Sequence, residues 1–333
     1  MGIIYGIYTY IVNTSSLTSV FPITQISAST MRAAFTLQKP KSITQSLVIL
    51  SEFESLIPRN IYTNDQQIKE HSVSNMITID SKWLASHLNS PQTVIIDSRG
   101  NIPYRLAHIK NARPLGVEYV ISVADNGANL ALNQLSAEKI FSDLGIDDSK
   151  TVVVYGENVD PSAARIVWTL MYHGHQNTKL LDIGFTTWQR SGLPISHGSA
   201  VLINTNPVKF KSKPINTIRA DADMIKAKQK DPDVIIVDSR TPQEHMQARI
   251  PGSILHSWEE GLGSNGAMFR SKEELQKDFE NNGITPDKEI ICYCHSGSRS
   301  SHKFLQFKQA GFSNVRMYDG SMIDWAQRRN PLR

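Results

Sequence analysis

The 333-residue chain is long enough for two globular domains with sizeable cores, and its 40% apolar and 20% charged residues exclude a disordered or membrane-embedded class. A net charge of +4, from 35 basic and 31 acidic residues with no dense basic stripe, leaves no footprint for nucleic acid. The only two cysteines, Cys292 and Cys294, exclude a disulfide framework and a four-cysteine zinc site; lying one residue apart, they are also poorly placed to bridge each other. A reactive thiol left free fits a reducing compartment, so a cytoplasmic location is expected.

Residues 1–75 read as an N-terminal extension, poorly ordered and without a role in function. As far as Ser51 the extension is rich in Ser, Thr and Ile, and Arg32, Lys39 and Lys41 are its only charges. The opening apolar run, Met1 to Val12, is too short to span a bilayer and lacks the charged start of a secretory signal. An organellar targeting segment and translation from an upstream start ahead of Met76 are the alternatives.

From Met76 the chain alternates helical and strand-like runs, and it does so twice. SKWLASHLN (Ser81 to Asn89) reads as a helix, and TVIIDSRG, ending at Gly100, as a buried strand with polar groups at its C-terminal tip. AHIKNAR (Ala107 to Arg113), LGIDDSKTVVVYG (Leu144 to Gly156) and LLDIGFTTW, ending at Trp188, complete the first copy. Residues 199–216, with Pro207 and Pro214, read as a linker. The second copy then repeats the order: the helix ADMIKAKQK (Ala222 to Lys230), DVIIVDSRT ending at Thr241, ARIPGSI (Ala248 to Ile254), NGITPDKEIICYC (Asn282 to Cys294) and MYDGSMIDW ending at Trp325. Four blocks recurring in order mean a duplicated domain of about 120 residues. The expected fold is therefore α/β, two tandem domains over 76–198 and 217–333, each a mostly parallel sheet flanked by helices. In such sheets ligands bind beyond the carboxyl ends of the strands.

One strand end carries the chemistry. EIICY runs into Cys294 and then HSGSRSSHKFLQF, a small polar loop leading into a helix that ends at Gly311. A helix N-terminus and a nearby arginine favour the thiolate, the reactive form of cysteine. Backbone N–H groups of His295, Ser296, Gly297, Ser298 and Arg299 are placed to curl around the sulfur as an anion nest, and Gly297 takes a positive φ cheaply. Arg299 opens the helix, where it can face a bound anion. Cys292, inside the strand, reads as core packing rather than a second thiol. The first copy has Gly156 in place of Cys294, with Glu157 and Asp160 where the loop should attract an anion, so it should be catalytically dead and serve to wall the cleft.

The Cys-His-Ser-Gly-Ser-Arg loop, the Asp-Ser-Arg strand ends, Arg-Ile-Pro-Gly and the Tyr-Asp-Gly-Ser…Trp block together resemble tandem rhodaneses, over about Met76 to Leu332. The resemblance implies a sulfurtransferase in which Cys294 takes a sulfane sulfur from a small donor, becomes a persulfide, and passes the sulfur to cyanide or a thiol. It implies neither a metal nor an organic cofactor. It also implies that Arg240 holds the donor's anionic end; a salt bridge to Glu244 is the plainer reading of that arginine. Asp97 and Asp238 read as fixing the strand-end turns, His108 as a satisfied buried histidine, Arg249 as a surface charge, and Trp188, Trp258 and Trp325 as packing.

The run Gly-Ser-Arg-Ser-Ser-His resembles that of thiosulfate enzymes, which favours thiosulfate over 3-mercaptopyruvate. His295, where such enzymes usually carry a fixed cation, is the departure, because its charge varies near neutral pH. Dual-specificity phosphatases share a related fold, but their Cys…Arg loop is one residue longer, which disfavours a phosphate ester here. A persulfide carrier or redox-sensing module would show the same loop and differ in turnover.

Overall fold

The computed structural model describes residues 77–199 and 208–333; the expected extension 1–75 and the first part of the linker lie outside them. The first copy runs β1 (Thr78–Ile79), α1 (Ser81–His87), β2 (Thr93–Asp97), α2 (Asn101–Leu106), β3 (His108–Ile109), β4 (Arg113–Pro114), β5 (Ile121–Val123), β6 (Asn129–Ala131), α3 (Gln134–Asp143), β7 (Thr151–Tyr155), α4 (Ser162–Tyr172), β8 (Thr178–Leu181), α5 (Phe185–Arg190) and β9 (Ile195–Ser196). The second runs β10 (Arg219–Ala220), α6 (Ala222–Lys228), β11 (Val234–Asp238), α7 (Pro242–Gln247), β12 (Ile254–Leu255), α8 (Lys272–Asn281), β13 (Glu289–Tyr293), α9 (Ser298–Gln309), β14 (Val315–Tyr318) and α10 (Ser321–Gln327).

Each copy builds a five-stranded sheet of the same topology, β1-β8-β7-β2-β4 and β10-β14-β13-β11-β12, and every pairing within them is parallel. The central strands β2, β7, β11 and β13 are the β-branched runs seen in the sequence, covered by helices on both faces as parallel strands require. Helix starts follow their caps: Asp80, Asn133 and Asp221 each accept from first-turn N–H groups, while Thr241 with Glu244 and Ser271 with Glu274 form capping boxes.

The two copies share a core. One apolar cluster contains Val94, Ile96, Val152 and Val154 of the first sheet, Ile166, Val167 and Trp168 of α4, and Phe304, Leu305 and Phe307 of α9. Helices α4 and α9 pack directly on each other. Two further backbone hydrogen bonds cross the boundary, Met268 N–H to the Asp182 carbonyl (2.8 Å) and Gly184 N–H to the Gly266 carbonyl (3.0 Å). The described end of the linker docks on the first copy through Phe210, which is buried, and through Lys213 and Ile215, whose N–H groups donate to the carbonyls of His173 and Tyr172. Among the described residues no helix is long and apolar enough to cross a membrane.

Candidate active site

β13 delivers Cys294 to the carboxyl edge of the second sheet, and the chain then turns through His295 and Ser296 into α9. Gly297 makes the turn with φ at 97°, left-handed backbone that suits glycine and strains other residues. A Cβ there would lie 2.7 Å from the Asp319 carbonyl oxygen and would also run into Arg165 Nη1, so the position has no room for a side chain. The turn aims the Gly297 N–H at Cys294 Sγ, 3.1 Å away. No side chain caps α9, which leaves its first-turn N–H groups open toward the loop.

The cradle is braced from behind by α10. Cys294 N–H donates to Ser321 Oγ (3.1 Å), whose own hydroxyl donates to the Tyr318 carbonyl (2.8 Å) and lies 3.9 Å from Cys294 Sγ. Ser321 is fully buried with φ at 52°, an uncommon backbone for a non-glycine residue that the paired loops hold in place. Met322 and Ile323 donate their N–H groups to the carbonyls of Cys294 and His295. The sulfur sits on the floor of this turn, with Cys294 only 1% exposed, while His295 faces solvent and Ser296, Ser298 and Arg299 are half-buried.

The arginines divide differently from the sequence reading. Arg240 pairs with Asp238 rather than with Glu244. Its Nε and Nη2 donate to both oxygens of Asp238 (2.9 and 2.7 Å), Nη2 also reaches the Ala248 carbonyl, and the residue is buried. The first copy repeats this clasp: Arg99 donates to both Asp97 oxygens and to the Ala107 carbonyl. Tyr155 and Tyr293 complete each clasp with a hydroxyl bond to Asp97 or Asp238. The same clasp stands in the first copy, where Gly156 takes the place of the cysteine, so the clasp is a feature of the fold.

Glu244 belongs instead to Arg299, bidentate at 2.6 and 2.8 Å. The Arg299 guanidinium and the Thr241 cap hold the Glu244 carboxyl down to about 2, although burial works against them. The pair ties the start of α9 to the start of α7.

Cys292 is buried in the shared core, its sulfur near the carbonyls of Ser300 and Arg316, and burial pushes its thiol up. The helical His302 is buried, touches Gln306 and the edges of Trp258 and Phe269, and is pushed by burial down to about 3. Among the described residues His256, Glu260 and Asp278 bring three ligand-type atoms within 4.8 Å of one another. Lys303 Nζ donates to His256 Nδ1 at 2.9 Å, so the cluster is an ion network around a buried lysine, which burial pushes down to about 7.

Gly156 of the first copy stands at the matching strand end, and a Cβ there would meet Ser98 Oγ at 2.6 Å. Glu157 accepts from the N–H and hydroxyl of Thr186. The sequence reading missed Ser321 and Arg165. Ser321 lies within the recurring Tyr-Asp-Gly-Ser block, which offered a signal; Arg165 stands in an apolar helix of the other copy and offered none.

A model of the rhodanese-like domain matches residues 80–191 and again 221–328. A Mycolicibacterium smegmatis protein provisionally named a thiosulfate sulfurtransferase is 30% identical over 266 residues, covering 75% of this chain and 94% of its own. A Thermus thermophilus protein named the sulfur carrier protein TtuD is 28% identical over 268 residues, covering 75% and 93%. Among solved structures, the 3-mercaptopyruvate enzyme SseA from Escherichia coli aligns with a TM-score of 0.66 at 23% identity over 74% of this chain and 98% of that one, a likeness of fold.

Proposed function

The chain belongs to the rhodanese family, with two rhodanese-like domains in tandem, and from that premise we propose that it moves a sulfane sulfur from thiosulfate to cyanide or a thiol through a persulfide on Cys294. The observation that carries this reading is the Gly297 N–H held 3.1 Å from Cys294 Sγ at the uncapped start of α9. Amide hydrogens directed at a sulfur stabilise it as an anion before, during and after transfer. The reaction is a double displacement. The Cys294 thiolate attacks the outer sulfur of thiosulfate; a new S–S bond forms, and the old one breaks with its electron pair leaving on sulfite. Cyanide then attacks the outer persulfide sulfur, thiocyanate departs and the thiolate returns. A cysteine only 1% exposed suits a slim donor whose reacting atom projects from an anionic head. Arg299, with the loop amides of residues 295–299, is the group that receives that head.

Two observations keep other readings in view. Glu244 already offsets the charge of Arg299, which favours 3-mercaptopyruvate, a donor with a single carboxylate, more than the sequence alone does. The likeness to a sulfur carrier protein favours a chain that loads one sulfur and hands it to a protein partner. Steady-state transfer to cyanide with both donors tests all three. Thiosulfate should turn over faster. A preference for 3-mercaptopyruvate would replace the donor, and a single loaded sulfur without turnover would replace enzyme by carrier. Cys294→Ser should abolish transfer in a folded protein while Cys292→Ser retains most of it. Equal loss from both would sink the single nucleophile.

A further inference from the structure

The domain that lacks a nucleophile sends a cation into the active site of the other. Arg165 lies on α4 of the first copy, is fully buried, and ends against the Gly297 turn: its Nη1 occupies the space that a Cβ on Gly297 would need. Among the described residues it makes one long hydrogen bond, Nη2 to the Asn129 carbonyl at 3.4 Å, and its Nε and Nη1 have no partner there. The face of Trp168, 5.1 Å from the guanidinium carbon, contributes a weak attraction. A buried guanidinium with unpaired donors is destabilising unless an anion answers it.

Asp319 is the carboxylate that acts on Arg165, but its oxygens are held by Arg219 Nε (3.0 Å) and by the Ala131 N–H (2.8 Å). The Cys294 sulfur lies one amide away, on the other side of Gly297. We propose that Arg165 is a positioning residue for sulfur transfer, a fixed cation behind the Gly297 turn that holds Cys294 in its anionic form, as thiolate and as persulfide. The proposal rests on Cys294 being the nucleophile. It also gives the first domain a task beyond walling the cleft.

Burial pushes the Arg165 guanidinium down from its ordinary value while Asp319 and the Cys294 sulfur pull it back, so the side chain keeps its charge at neutral pH. Other charged groups face Cys294 as well. Arg299 approaches from α9, tied to Glu244 of α7; Asp319 and Arg219, paired with each other, act on Arg165; Cys292 lies on the same strand; and His295 sits on the solvent side. Of these cations, Arg165 is fully buried and has no carboxylate of its own among the described residues, while Arg299 and Arg219 each carry one.

The test is the alkylation of Cys294 by iodoacetamide, read on its peptide by mass spectrometry at about pH 6 and about pH 9. Wild-type protein should keep much of its rate at the lower pH. Arg165→Met should lower the ratio of the two rates about tenfold, and Arg165→Lys should hold it within about threefold of wild type. An unchanged ratio in folded Arg165→Met overturns the proposal. If that variant fails to fold, wild-type protein decides: a buried cation is not screened, so the ratio should be the same in low salt and in about 1 M salt. Collapse of the ratio in salt would assign the charge to His295 and Arg299 and overturn it. Cyanide transfer measured alongside separates this proposal from the one beneath it. Cys294 that alkylates as predicted but transfers no sulfur refutes the transferase reading and leaves the role of Arg165 standing.

Discussion

Glu244 serves two masters: its carboxylate closes the capping box at Thr241 and also clasps Arg299. An anionic donor reaching Arg299 must share that guanidinium with the carboxylate. Glu244→Gln keeps an acceptor for the cap but removes the competing charge. The KM for thiosulfate should then fall about two- to fivefold with kcat little changed, the size expected of a partly exposed ion pair. A rise in KM would mean that the carboxylate orients Arg299 rather than competing for it. The same residue sets a pH dependence. Its folded value, about 2 against an ordinary 4.5, is depressed, so its contribution to stability is complete above 4.5 and is lost as pH falls toward 2. Urea titrations should show wild type more stable than Glu244→Gln at neutral pH, with the gap shrinking at about pH 3. A gap that widens in acid would reverse the sign and with it the assignment of the pair.

At the level of elements, the two strand ends differ by more than one residue. Installing the missing nucleophile in the first copy, Gly156→Cys, should not create a second site. The new Cβ presses on Ser98 Oγ at 2.6 Å, and the following loop carries Glu157 and Asp160 in place of an anion cradle. In a Cys294→Ser background this variant should transfer no sulfur to cyanide and should lose about 1–3 kcal/mol of stability by overpacking. Transfer in that background would show that any cysteine at such a strand end suffices. The strand ends themselves were legible in the sequence, because β-branched runs closing in Asp-Ser-Arg report burial and topology directly. So was the turn after Cys294, since small residues and a glycine before a helical run allow a tight loop at a strand end. The partners of the arginines were not legible. Arg240 and Glu244 are neighbours in sequence, yet the clasp with Asp238 wins because both are fixed at the strand tip. Arg299 and Glu244 meet across 55 positions, and Arg165 meets the Gly297 turn only because α4 packs on α9. Contacts between copies leave no trace in a repeat that reports each copy separately.

For the whole molecule, the shared core predicts that the two domains unfold together. Each has a private apolar cluster, around Trp188 in the first and Trp325 in the second, but the largest cluster belongs to both through α4 and α9. Independent domains would show two heat-absorption peaks; a shared core should give one, with calorimetric and van't Hoff enthalpies equal. Ile166→Ala on α4 opens a cavity in that common core and should cost about 2–4 kcal/mol, lowering the midpoint by about 5–10 °C. The single peak should persist. Cys292 supplies a local probe on the far side of the boundary, since it is wholly buried in the second sheet and nothing in Ile166 belongs to that domain. In a Cys294→Ser background its labelling by a thiol reagent should begin at the lowered midpoint of Ile166→Ala. Coupled domains transmit the first copy's damage to the second copy's thiol. If Cys292 keeps the wild-type midpoint while a first peak moves down alone, the domains are thermodynamically separate. Arg165 would then reach the cradle across an interface free to open, and its field at Cys294 would weaken on heating before either domain unfolds.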